Sequence, residues 1–205
     1  MGIDPQDLEG EAEAAYRAAG LDVTDSVEPI WLARQLLGAD AVVGVHSLMQ
    51  PGGGCLVKVN GKPRIYFRNR LPQRRRDFVI AHELAHHLLG DRVGDERETE
   101  AACDALGAML IAPRRAFQEA LRWYGERFPA LAEHFETSES LIVLRFGEVT
   151  HAPLVLVAPQ SVRVRGEERA WPEEAALRRI AAQPKPSLRK ATLRDDPRRV
   201  ALRIR

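Results

Sequence analysis

The residues of this 205-residue chain best suited to chemistry lie in one run, Phe78-Val79-Ile80-Ala81-His82-Glu83-Leu84-Ala85-His86-His87-Leu88-Leu89. On an α-helix, residues four apart sit about 40° apart around the axis and one turn apart along it. The imidazoles of His82 and His86 then project from one face and can bind a single tetrahedral cation. Glu83 points roughly 100° away from His82, beside the cation rather than onto it. There it can take a proton from a water that the cation activates. The flanking Phe78, Val79, Leu84, Leu88 and Leu89 imply that this helix is largely buried. Burying two histidines and a carboxylate is costly unless something pairs them, and a metal does so. The chemistry implied is metal-assisted peptide hydrolysis.

A catalytic zinc site takes three protein ligands and leaves one position open. No histidine follows His87 until His134, whereas Asp91, Asp95, Glu96, Glu98 and Glu100 do follow. Glu100 is the preferred third ligand. It opens the stretch Glu100-Ala101-Ala102-Cys103-Asp104-Ala105-Leu106-Gly107-Ala108-Met109-Leu110-Ile111, whose small residues allow close approach to the histidine helix. Asp104, one turn further on, is placed to accept a hydrogen bond from the far nitrogen of a ligand histidine, His82 in preference, and so fix its tautomer. Glu96 and Glu98 read as solvated acids at a helix start, where the dipole favours them. The tetrahedral oxyanion needs a donor besides the metal. Tyr66, His87, His134 and His151 remain open candidates for that role or for substrate contact, Tyr66 because it lies just before the histidine helix.

The elements that must position these groups follow from the apolar pattern. Helical spacing is read over 7–19 and 29–37, each ended by a glycine. Strands are read at 41–45, 55–59 and 64–67, the last two joined by the hairpin signal Asn60-Gly61. Helices are then expected over 73–89, 96–111 and 114–127, followed by a short pair at 130–134 and 138–146. Beyond these, 153–157, 161–165 and 200–204 read as strands, with Pro184-Lys185-Pro186 marking a loop. The fold class expected is α+β: a small sheet packed on an active-site helix pair over residues 1–148, ending in a helix-turn-helix-like segment at about 128–147. A basic, β-containing extension follows over 149–205.

Composition narrows the class. A hydrophobic fraction of 45% and a charged fraction of 29% suit a soluble globular protein. No apolar run approaches the roughly 18–20 residues of a membrane span. The acidic start lacks a signal-peptide pattern, so the expected location is cytoplasmic. Two cysteines outside any C-x-x-C pair read as reduced, packed thiols. The net charge of +1 carries no overall nucleic-acid signal, although residues 161–205 hold thirteen Arg and Lys against six Asp and Glu.

The run Arg75-Arg76-Asp77-Phe78-Val79-Ile80-Ala81-His82-Glu83-Leu84-Ala85-His86, then Glu100 through Leu110-Ile111-Ala112-Pro113, resembles the ImmA/IrrE metallopeptidases, HExxH enzymes of the zincin-like, gluzincin type. Leu131-Ala132-Glu133-His134-Phe135, followed by Ser138 and Arg145, resembles that family's helix-turn-helix-like segment. The chain departs from the family at Leu106-Gly107, where Phe-Ala is commoner, and at Ala112, where Met is usual. The resemblance implies His82, His86 and Glu100 as ligands, Glu83 as general base, and zinc as cofactor with manganese also possible. It implies cleavage of one partner, an Xre/Cro-type repressor, in stress response or mobile-element regulation. It also implies an edge strand near the cleft, expected at 64–67, that pairs with the substrate backbone. The alternative is a catalytically inert repressor- or DNA-binding module. Against direct DNA binding, Ser138-Glu139-Ser140-Leu141-Ile142-Val143-Leu144-Arg145 has one basic residue and an early acid, a poor match to phosphates.

Overall fold

The computed structural model of the protein describes residues 5–50, 52–92, 95–152, 154–158, 161–165, 189–192 and 200–203. The expected Pro184-Lys185-Pro186 loop lies outside them. The chain divides into two compact units, Met1–Glu119 and Ala120–Arg205.

The first unit runs α1 (Pro5–Ala18), α2 (Pro29–Leu37), β1 (Val42–Val45), β2 (Gly54–Val59), β3 (Lys62–Arg68), α3 (Gln73–Leu89), a 3-10 turn (Gly90–Arg92) and α4 (Glu96–Ile111). The division falls within α5 (Arg114–Tyr124). Between β2 and β3, Asn60 and Gly61 both take left-handed backbone, with φ of 52° and 77°. That conformation matches a two-residue turn to the twist of its strands. The start of α4 is fixed by Asp95, whose carboxylate accepts from the Glu98 amide at 2.8 Å. Glu96 and Glu98 occupy the first turn, as acids favoured by the helix dipole do.

The sheet order is β1-β3-β2, with β3 parallel to β1 and antiparallel to β2. Strand β3 is therefore central, and the expectation of an edge strand at 64–67 is corrected. Ile65 is partnered by Val42 on one side and Leu56 on the other, leaving no free flank. Among the described residues β1 and β2 each have one flank without a partner strand. The Arg68 amide donates to the Gly53 carbonyl at 2.9 Å. Alternation along an antiparallel pair then turns the main-chain groups of Gly54, Leu56 and Lys58 outward.

Helix α3 packs against α2, α4, β2 and β3. Val79, Ile80, Ala81, Leu84, Ala85 and Leu89 enter the core, as do Cys103, Leu106, Met109 and Leu110 of α4. The fully buried Tyr16 hydroxyl donates to the Leu110 carbonyl at 2.9 Å. Carbonyls in the last turn of a helix lack an intrahelical partner, so Tyr16 supplies one across the core. Burial pushes its phenol well above the ordinary range, keeping it a donor. Tyr16→Phe leaves that carbonyl unsatisfied and is expected to cost about 1–3 kcal/mol. Urea unfolding should show a lower midpoint at unchanged slope; an unmoved midpoint would deny the bond any structural role.

The second unit holds α6 (Phe128–His134), α7 (Glu139–Thr150) and the strands β4 (Leu154–Ala158), β5 (Ser161–Arg165), β6 (Arg189–Thr192) and β7 (Val200–Arg203). These form an antiparallel sheet in the order β5-β4-β7-β6. Ser138 caps α7 by accepting from the Leu141 amide. Helix α7 is interior along most of its length, with Leu141, Ile142, Val143, Phe146 and Val149 buried and Arg145 fully so. No described helix is long and apolar enough to cross a membrane.

Candidate metal centre

Helix α3 contributes His82, Glu83 and His86, and α4 contributes Glu100 and Asp104. The Nε2 atoms of His82 and His86 are 3.2 Å apart. Glu100 Oε2 lies 3.3 Å from His82 Nε2, and its Oε1 lies 3.2 Å from His86 Nε2. Among the described residues this is the grouping of His, Cys, Asp and Glu compact enough to hold one ion. His82 Nδ1 stands 3.1 Å from Asp104 Oδ1. With the proton on Nδ1, its Nε2 turns a bare lone pair toward the other two ligand atoms.

These dimensions suit zinc. Ligands held about 2.0–2.1 Å from a tetrahedral ion are about 3.3–3.4 Å from one another, close to the separations found here. Two imidazoles and a carboxylate are a zinc donor set, and by ligand type they also admit manganese. The Glu100 side chain is 55% exposed against 15% for His82, so the carboxylate side of the cluster meets solvent.

The electrostatics of the cluster follow from burial and from the charges packed together. Burial opposes charging His82, but the hydrogen bond and charge of Asp104, with Glu83 and Glu100, outweigh it and raise its pKa. Burial and the neighbouring His82 together lower that of His86. Of the two imidazoles, His82 is therefore the more readily protonated. Glu83 supplies none of the clustered ligand atoms. Burial raises its pKa, while the charge of His82 and the Leu56 amide pull the other way. A Cβ added at Gly54 would stand 3.0 Å from Glu83 Oε1 and 2.3 Å from Val79 Cγ1. The carboxylate thus rests against the start of β2, in space that only glycine leaves open.

The remaining candidates scatter. Tyr66 sits half-buried in β3, opposite Cys55 and Val43. His87 follows His86 on α3, its pKa lowered by partial burial and by Lys58. His134 belongs to the second unit, where its ring meets those of Tyr124 and Phe135. His151 ends α7 in a left-handed conformation. Both cysteines are free. Burial, then Glu100, Glu83 and Asp104, push the Cys103 thiol up to about 12, so it stays protonated and is a poor ligand. Sequence reasoning missed Gly54 and the Leu56 amide. The Gly52-Gly53-Gly54 run was the available signal, but it reads equally well as a loop.

Two histidines four residues apart, a glutamate from the next helix and a spare carboxylate beside them define a centre of the metallopeptidase-like class. Residues 39–146 match the peptidase family model described as the IrrE N-terminal-like domain, and the chain belongs to that family. No curated protein sequence matches the chain. Among solved structures it is similar to a Mycobacterium tuberculosis transcriptional regulator, with a TM-score of 0.58 at 15% identity. The match covers 78% of this chain and 55% of that one, so the chain spans just over half of that protein's length. At this identity the likeness is one of fold.

Proposed function

We propose that this protein is a zinc-dependent endopeptidase that cuts one specific intracellular protein, an Xre/Cro-type transcriptional repressor. The observation that carries the reading is the convergence of His82, His86 and Glu100 on one point while Glu83 stands beside it without contributing to the cluster. When bound there, the cation supplies Lewis acidity, lowering the pKa of a water towards about 7 and polarising a carbonyl. Glu83 accepts the proton of the attacking water and returns it to the leaving amine. Its raised pKa suits a group that must do both near neutrality. Asp104 holds the Nδ1 proton of His82 and so keeps Nε2 available.

Gly54 and the outward Leu56 amide adjoin Glu83, which favours the unpartnered flank of β2 as the place where an extended substrate pairs. The substrate class follows from the family resemblance, and similarity to a transcriptional regulator is compatible with it. The interior position of α7 weighs against the DNA-binding alternative, because a buried helix cannot enter a groove.

The test is incubation of the zinc-loaded protein with a panel of purified Xre-type repressors. One of them is expected to be cut at a discrete site. Cutting should stop with 1,10-phenanthroline and return with added zinc. Lys58→Pro, which removes an outward amide and no amide that faces β3, should retain zinc and cut at least tenfold more slowly. A protein carrying one zinc per chain that cuts none of the panel would favour the inert binding module.

A further inference from the structure

Strand β2 runs beside one stripe of α3. Val79, Glu83 and His87 recur at intervals of four and so stack on one side of that helix. Gly54, Leu56 and Lys58 alternate with their neighbours and so share one face of β2. At one end the two rows meet where Val79 and Glu83 fill the space that Gly54 leaves open and the Leu56 amide donates to Glu83. At the other end partial burial, and then the Lys58 charge, lower the pKa of His87, so these two groups are neighbours. Both are exposed.

The seam so formed changes sign along its length. Glu83, Glu100 and Asp104 crowd the metal end. Lys58 is the one charged residue of β2, and the residue paired with it on β3 is Pro63, which carries no charge. A peptide extended on the open flank of β2 sets one residue opposite Lys58 and another, two positions away, opposite Leu56. Residues directly opposite each other have Cβ atoms about 4.5–5.5 Å apart on the same face of the sheet, where opposite charges attract and like charges repel. The bond to be cut must lie by Glu83, in the stretch from Gly54 to Leu56. The substrate side chain that meets Lys58 therefore belongs to a residue two to four positions from that bond.

We propose that Lys58 is a specificity-determining residue: it selects a substrate that carries an aspartate or glutamate two to four residues from the scissile bond. This rests on the endopeptidase reading and on β2 as the strand that receives the substrate. His87 offers a ring nitrogen to the same carboxylate. The contact is remote from the reacting atoms, so it strengthens the binding of substrate and transition state alike and acts on KM more than on kcat.

The test is a charge swap on the repressor that the zinc-loaded chain cuts. Its cleavage site, mapped by mass spectrometry, is expected to have an acidic residue within that window. Lys58→Glu keeps the main-chain amide and reverses only the side-chain charge. It is expected to hold zinc as the native chain does and to raise KM about tenfold. The metal-free variant should bind a peptide spanning the site more weakly than the metal-free native chain by the same factor. Replacing the substrate's acid by lysine should slow the native chain equally and bring Lys58→Glu back to within about threefold of the native pair, a coupling that a structural role for Lys58 would not produce. A site with no acid in the window, a Lys58→Glu chain that cuts as well as the native one, or a swapped pair that fails to recover each overturns the proposal. A native chain that cuts none of the repressors fails the endopeptidase reading itself, and the proposal falls with it; cutting without a charge preference removes the proposal alone.

Discussion

Glu83→Gln is expected to retain one zinc per chain and to cut its substrate about 10²–10⁴ times more slowly. The amide has the shape of the carboxylate and fits the same space against Gly54, but it cannot take a proton from water. Zinc should stay because the clustered ligand atoms come from His82, His86 and Glu100. A second consequence follows from the raised pKa of Glu83. A carboxyl whose folded pKa lies above its unfolded value favours the fold while protonated, and this contribution is lost as pH rises through that window. At neutral pH the buried charge therefore opposes folding. The metal-free Glu83→Gln chain should be at least as stable as the native chain at pH 7, an advantage that disappears below the ordinary carboxylate range. Elemental analysis, cleavage kinetics and unfolding at two pH values check the three parts. Loss of zinc would make Glu83 a ligand, and undiminished cleavage would end its role as base.

Glu100→Ala should have the largest effect on metal binding. It removes the carboxylate that spans both imidazoles and leaves two nitrogens 3.2 Å apart with no anion between them. Loss of a supporting residue such as Asp104 typically weakens a site by about 10–100-fold. Loss of a ligand should exceed that, leaving the purified variant with little zinc where the native chain holds one equivalent. Asp104→Ala, measured beside it, should fall within the smaller range. If Glu100→Ala binds zinc as tightly as the native chain, the third ligand lies elsewhere.

The cluster was largely legible in the sequence because its geometry is local. His82 and His86 are one turn apart on a helix whose ends, near Pro72 and Gly90, were also marked. Glu100 and Asp104 share a face of the next helix for the same reason. The three-stranded sheet was legible as strands and as one hairpin, yet not as an arrangement. Pairing β1 to β3 across more than twenty residues depends on tertiary packing, so the local pattern does not say which strand is central. Strand β6, Arg189-Lys190-Ala191-Thr192, carries no apolar alternation and was missed; it is defined by its pairing with β7. Helix α7 runs on to Thr150, four residues past the expected end. Gly147 does not stop it, because burial of Val149 rewards another turn. Gly54 gave no signal of its own, since its importance lies in Val79 and Glu83, which approach it from elsewhere in the chain.

The bare flank of β2 has a cost as well as a use. Main-chain groups on an unpartnered flank can meet the same strand of another molecule as well as a guest, and edges of this kind seed self-association. Strand β2 is only six residues long and carries the exposed Lys58 near its far end. Two copies meeting flank to flank would each bring that positive charge. Salt weakens such repulsion over distances of about 10 Å at 0.1 M. Crowding and ionic strength thus act on β2 in the same direction, both favouring the pairing of copies over the capture of substrate.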